Sequence, residues 1–181
     1  MFSLTLPAII FTLLVLELVF RLAIPASDPP HAYYDPNDQI LRFDVDGPQS
    51  GNHTVGKLAQ VRGEWQINNF GWNSEIEYRQ ELTNRPRIAI IGDSFVAALH
   101  LDVEDSMPGQ LRRQIGDEVD VYSFGTSGAP MSQYLQMSRY VNRNFNPDLL
   151  VFNVVDNDFD SSLCEVSRLL GMMCLENADG R

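Results

Sequence analysis

Arg87-Ile88-Ala89-Ile90-Ile91-Gly92-Asp93-Ser94-Phe95 is an apolar run that stops abruptly at Gly-Asp-Ser. Apolar, mostly β-branched residues ending at a glycine read as a buried strand whose carboxyl end delivers polar side chains to one edge of a sheet. Open α/β sheets bind their ligands at that edge. The following Phe95-Val96-Ala97-Ala98-Leu99 can start a helix, which places Ser94 where outward-pointing N–H groups favour developing negative charge. Ser94 is therefore a candidate nucleophile. Taken alone, Gly-Asp-Ser is also ordinary turn chemistry, because Asp and Ser bond back to nearby backbone.

Downstream, the pattern alternates: strand 88–91, helix near 107–115, strand 119–122, helix near 131–145, strand 149–155. Gly116 suits a C-cap for the first helix, Pro130 opens the second, and Asn146-Pro147 stops it. Strand, helix, strand, helix, strand means parallel pairing with right-handed crossovers, so all three strands end on one edge. The second runs into Ser123-Phe124-Gly125-Thr126-Ser127-Gly128 and the third into Asp156-Asn157-Asp158. A serine, a glycine-rich loop with free N–H groups and a carboxamide thus converge by topology. Acyl transfer needs that set, a nucleophile with donors aimed at the developing oxyanion. The serine is not in the Gly-x-Ser-x-Gly elbow, since Val96 stands at the second glycine's place.

Ahead of this unit, residues 1–24 hold a nearly charge-free run to Leu16, then Glu17, Arg21 and further apolar residues. As a helix of about 24 residues it reaches about 36 Å, against a hydrocarbon core of about 30 Å. Glu17 and Arg21, four apart, can meet on one face, which lowers their cost at a membrane edge. An uncleaved single-pass anchor is expected. A cleaved secretory signal ending at Ile24-Pro25-Ala26 competes, but no Lys or Arg marks the amino end; a buried core helix is the third reading. Pro25, Pro29, Pro30 and Pro36 rule out a regular helix, so 25–53 reads as a stiff, partly extended connector. Residues 54–86 read as a short β and loop lead-in whose Trp65, Phe70 and Trp72 cover an edge of the coming sheet, with a short helix at 74–81. The strand and helix alternation occupies 87–181. His31 and His53 read as surface histidines.

The 181 residues suffice for one domain and an appendage. A formal charge of -11, from 24 acidic against 13 basic residues, argues against nucleic acid as a partner, because phosphate neutralisation needs a basic surface. Neither Gly-x-Gly-x-x-Gly nor the P-loop pattern is present. Cys164 and Cys174 pair if the domain sits in an oxidising compartment and are otherwise two reduced, buried thiols. Residues 156–160 imitate the start of a calcium loop, but Ser161 replaces the turn glycine and Ser167 the bidentate Glu. No metal spacing occurs, and no cofactor is expected.

The three blocks resemble those of the SGNH (GDSL-like) hydrolase family, named for Ser, Gly, Asn and His in four blocks. Gly92-Asp93-Ser94-Phe95 is similar to the first, with Phe where Leu gives the family its other name. The resemblance implies Ser94 as nucleophile and its own N–H as an oxyanion donor, with Gly92 and Asp93 in support. Residues 123–128 resemble the second block, with the oxyanion glycine on Gly128 and Ser123 where many members have Asn. Val155-Asp156-Asn157-Asp158 resembles the third, Gly-x-Asn-Asp: Asn157 supplies a side-chain N–H, Asp158 supports it, and Val155 replaces Gly. The implied fold is α/β, a flavodoxin-like three-layer αβα sandwich with a parallel sheet, here preceded by a transmembrane helix.

The fourth block, an Asp-x-x-His that supplies the general base, is missing, because no histidine follows His100. His100, six residues beyond Ser94, is expected to point away from it. The expectation is an SGNH domain incomplete at its carboxyl end, with the base outside this sequence. Its implied activity is ester hydrolysis or O-acyl transfer outside the cytoplasm, in the periplasm, through a covalent Ser94 intermediate. The substrate is an ester; analogy with membrane-anchored relatives points to acylated envelope carbohydrate. The alternative is a catalytically idle module that binds a glycan or a protein at the membrane.

Overall fold

The computed structural model describes residues 2–23 and 26–176. The chain runs α1 (Phe2–Ala23), β1 (Ala32–Asp35), β2 (Ile40–Phe43), β3 (Ser50–Val55), β4 (Val61–Gln66), β5 (Arg87–Gly92), α2 (Ser94–Ala97), α3 (Met107–Ile115), β6 (Asp120–Gly125), α4 (Met131–Phe145), β7 (Leu149–Asn153) and α5 (Asp156–Ser161). It is a mixed α/β fold with a parallel three-stranded sheet behind an N-terminal apolar helix. Ile24 and Pro25, where the cleavage-site reading falls, and 177–181 lie outside the described residues.

α1 has 22 residues and is about 33 Å long. Its segment Leu4–Leu22 has a mean hydropathy of 2.0 and is 0% buried, so it is long and apolar enough to span a membrane and does not pack as a core helix does. Arg21 Nε meets Glu17 Oε1 at 2.7 Å, as their spacing predicts.

The quoted run forms β5, the middle strand of the order β6-β5-β7, and both pairings are parallel. Its side chains alternate between two cores. Ala89 and Ile91 join Tyr122 and Phe124 under α4, whose Tyr134, Met137, Tyr140, Val141 and Phe145 form one buried stripe. Ile88 and Ile90 join Val121 against Val96 of α2 and Leu111 and Ile115 of α3. Helices therefore pack on opposite faces of the sheet. Ser106 caps α3 by accepting the Gly109 N–H at 3.2 Å, Gly116 ends it at φ 70, and Asn146 ends α4 in the left-handed region at φ 42.

The stretch 25–53 is more ordered than a connector. β1 and β2 form an antiparallel hairpin, and β3 pairs with β4 across the boundary set at residue 53. Prolines exclude helix but not short strands: Pro36 stands in the turn after β1, where Asp35 Oδ1 accepts the Asn37 N–H at 3.0 Å. The hairpin is tied to α4, Gln133 Nε2 donating to Gln39 O at 2.8 Å and Gln136 Nε2 to Gln39 Oε1 at 2.8 Å. Residues 74–81 are not helical. The Asn69 side chain pairs with both backbone groups of Tyr78, at 2.9 and 3.0 Å, in place of helical hydrogen bonds. Of the aromatics expected to cover an edge of the sheet, Phe70 and Trp72 join the core of Tyr122 and Phe124 under α4, and Trp65 lies in a separate cluster with Phe43 and Ile67. The outer side of β6 is met instead by Tyr78, whose hydroxyl donates to Ser123 O at 2.9 Å and accepts the Ser123 N–H at 2.7 Å. Cys164 and Cys174 form a disulfide.

Asp35 is 7% exposed and pairs with the Arg42 guanidinium. Burial pushes its carboxyl up, but the Asn37 N–H and the Arg42 hydrogen bond and charge outweigh it and hold the value below the usual carboxylate range. A folded value below the unfolded one gives stability that is present above about pH 4 and lost as pH falls through the folded value. The gap in urea midpoint between wild type and Asp35→Asn is expected to be largest near pH 6 and to shrink towards pH 3.

Candidate active site

Three strand ends set the level of the site. Gly92 of β5 is in register with Gly125 of β6 and Asn153 of β7. Ser94, Gly128 and Asn157 follow these ends within a few residues, so the loops that carry them leave the same edge of the sheet.

Asp93 shapes the turn that presents Ser94. It is buried, and its Oδ1 caps α2 by accepting the Phe95 N–H at 2.9 Å. Ser94 opens α2 half-buried, with its hydroxyl 3.4 Å from Asp93 Oδ2, a long contact. Two glycines let this single turn lie on the sheet. A Cβ on Gly125 would stand 2.1 Å from Ala97 N, and one on Gly92 2.5 Å from Val96 Cγ2. The far end is pinned by Asn73, whose Nδ2 donates to Ala97 O at 2.8 Å.

The second loop leaves β6 with the Thr126 N–H donating to Gly92 O at 3.1 Å and the Thr126 hydroxyl donating to Leu41 O at 3.1 Å. Gly128 is exposed at φ +77, a left-handed conformation that favours glycine. Its N–H has no acceptor among the described residues. A cavity of about 140 Å³ borders this loop, lined by Leu41, Phe43, Leu99, Thr126 and Ser127 among others.

In the third loop Asn157 lies exposed in the first turn of α5, and its carboxamide has no partner among the described residues. Asp158 beside it is 0% exposed. Its Oδ2 accepts from the Tyr134 hydroxyl at 2.7 Å and from the Val155 N–H at 2.9 Å. Val155 adopts an extended φ of -117, so nothing in the backbone there calls for glycine. Burial, then the hydrogen bond and charge of Asp158 and the charge of Asp93, push the Tyr134 phenol far up, so it stays a proton donor at neutral pH.

Ser123 is not at the edge. It lies inside β6, buried, with its hydroxyl donating to Asn73 O at 3.2 Å, and it serves the packing of Tyr78. None of the three histidines hydrogen-bonds Ser94. The backbone of His100 packs on β4, where a Cβ on Gly63 would stand 2.5 Å from the His100 carbonyl carbon. His53 Nδ1 lies 3.3 Å from Ser27 Oγ, and His31 is exposed. Among the described residues no group of three or more His, Cys, Asp or Glu is placed to hold a metal ion.

No protein-family model and no curated protein matches the chain. Two residues of the site escape a reading of the sequence. Tyr134 falls on the apolar stripe of α4, where an aromatic reads as core, and the hydroxyl's partner is 24 residues away. Asn73 reaches Ala97 across 24 residues with no pattern to mark it.

Proposed function

We propose that this protein is a membrane-anchored SGNH-like serine hydrolase or O-acyltransferase acting on esters, with acylated carbohydrate as its substrate class. Ser94 is the nucleophile, and the N–H groups of Ser94 and Gly128 and the carboxamide of Asn157 receive the oxyanion. The observation that carries this reading is the level register of Gly92, Gly125 and Asn153, which sends a serine and two unpaired donors to one edge. The strand order, with the first strand of the sheet in the middle, is how flavodoxin-like sheets begin, and their ligands bind beside that strand. Helices on both faces fit the three-layer αβα form. The outer edge of β7, with Leu149, Val151 and Phe152 exposed, leaves room for further strands of such a domain.

In the reaction the Ser94 oxygen attacks the ester carbonyl carbon while a base takes its proton, and the carbonyl oxygen becomes the oxyanion. Collapse expels the alkoxide, which recovers that proton, and leaves acyl-Ser94 for water or a sugar hydroxyl. The base comes from outside the described residues; in the family an Asp-x-x-His provides it. The Cys164–Cys174 disulfide supports a domain outside the cytoplasm.

Among the described residues no histidine hydrogen-bonds Ser94, which favours a second reading, a module that binds a glycan or protein with an idle serine. A fluorophosphonate probe separates the two. The full-length protein in its membrane is expected to be labelled, and Ser94→Ala to be unlabelled with p-nitrophenyl acetate turnover at background. A folded wild type that takes no label overturns the hydrolase reading and leaves the binding module as the one to test.

A further inference from the structure

The tip that joins β3 to β4 differs in charge from the rest of the chain. Against a formal charge of -11, no acidic residue stands between Asp46 and Glu64, while Lys57, the chain's one lysine, and Arg62 fall at the tip. Val55 and Val61 face each other across the ladder, 46% and 42% exposed, and Leu58 between them is 71% exposed. Leu58 and Ala59 stand at φ 59 and 52, left-handed values at which Gly or Asn costs less. Neither the turn nor the core therefore calls for leucine at the apex. Exposed aliphatic side chains beside basic ones suit the boundary of a bilayer, where acyl chains meet anionic headgroups.

The path of the chain leads from this tip to α1. The Asp28 N–H donates to Asn52 O at 2.7 Å, and the Ser27 hydroxyl accepts the Thr54 N–H at 3.2 Å. Going back from 28 to 27, towards α1, the partners on β3 advance from 52 to 54, towards the tip. Ser27 is four residues past Ala23, where α1 ends, and four residues span at most about 14 Å. The tip thus lies at the end of the domain from which the chain reaches α1. It is also held to the rest of the domain: Trp65 Nε1 donates to Asp28 O at 2.8 Å, the Glu64 N–H donates to Asp102 Oδ1 at 2.9 Å, and a Cβ on Gly63 would stand 2.4 Å from Leu101 N.

We propose that the tip of the β3–β4 hairpin is a second membrane contact: Val55, Leu58 and Val61 enter the interface of the bilayer that α1 spans, Lys57 and Arg62 meet anionic headgroups, and the domain is held in one orientation to the surface. This docking rests on the anchor reading of α1 and is independent of the hydrolase reading.

The full-length protein, reconstituted in vesicles of phosphatidylcholine with about one-third phosphatidylglycerol, tests it with a nitrobenzoxadiazole label at Leu58→Cys. The label is expected to be quenched by nitroxide-bearing lipid and to be at least about threefold less accessible to aqueous iodide than the same label at Gln66→Cys, at the far end of β4 and about 17 Å back from Val61. Adding Lys57→Glu is expected to lower the ratio of docked to free tip at least about fivefold, and vesicles of phosphatidylcholine alone are expected to lower it similarly, because each basic residue near an anionic surface favours binding by about that factor. Equal iodide access at the two positions, or lipid quenching indifferent to both Lys57→Glu and phosphatidylglycerol, overturns the docking. Alkaline carbonate separates it from the anchor: protein released from the vesicles overturns the anchor and the docking together, whereas protein retained with an iodide-accessible Leu58→Cys label overturns the docking alone.

Discussion

Gly125→Val is expected to lower the stability of the domain by at least about 3 kcal/mol, more than an ordinary overpacking change. The reason is the neighbour it meets. A Cβ at this position would stand 2.1 Å from Ala97 N and 2.5 Å from Val96 C, which are backbone atoms and cannot rotate away as a side chain can. The Thr126 N–H to Gly92 O bond just beyond prevents the end of β6 from drifting off β5. The strain therefore falls on α2, which must lift from the sheet and carry Ser94 with it. Thermal melts check this: with about 2–4 °C per kcal/mol for a chain of this size, the midpoint is expected to drop by at least about 6 °C. Gly47→Ala is the control, because its nearest neighbours stand at 3.7 Å and its effect is expected to stay within about 0.5 kcal/mol.

How far the chain could be read in advance follows from where each interaction lies in sequence. α3 and α4 fall at 107–115 and 131–145, as read, because their boundaries are written locally: Gly116 ends α3, Pro130 opens α4 and Asn146 ends it. The common edge of the three strands follows from alternation, since parallel strands joined by helices must all end together. The hairpin at 32–43 was hidden because its strands are four residues each and its ion pair, Asp35 with Arg42, looks like loop composition. Residues 74–81 show the reverse error. Local propensity allowed a helix, and the Asn69 side chain takes the Tyr78 backbone groups instead. At the candidate site, Ser94, Gly128 and Asn157 were legible because each follows a strand end. The contacts that hold their loops, Tyr134 to Asp158 and Asn73 to Ala97, each span 24 residues and leave no periodic trace.

Phe145→Ala is expected to cost about 3–5 kcal/mol and to lower the melting midpoint by about 6–20 °C. Phe145 is 0% exposed. Its ring centroid lies 5.0 Å from Phe70, 5.2 Å from Phe124, 5.7 Å from Tyr122, 5.8 Å from Tyr140 and 5.9 Å from Tyr78. Those rings come from three sources, the 54–86 lead-in, β6 and α4, so the cavity left by alanine opens where the three meet. The surrounding rings cannot collapse into it, because Tyr78 is held by its hydroxyl on Ser123 and Tyr122 by its hydroxyl, which accepts the Arg79 N–H at 3.1 Å. If the lead-in and the sheet form one cooperative unit, the variant melts in a single transition at the lower temperature, and fluorescence of the buried Trp72 follows the loss of far-ultraviolet ellipticity. Two separated transitions, with Trp72 exposed in the first, would mean that the lead-in folds onto a sheet already formed. The single transition is the expected result, because Trp72 and Tyr78 belong to the same continuous core as Ala89 and Ile91 of the central strand.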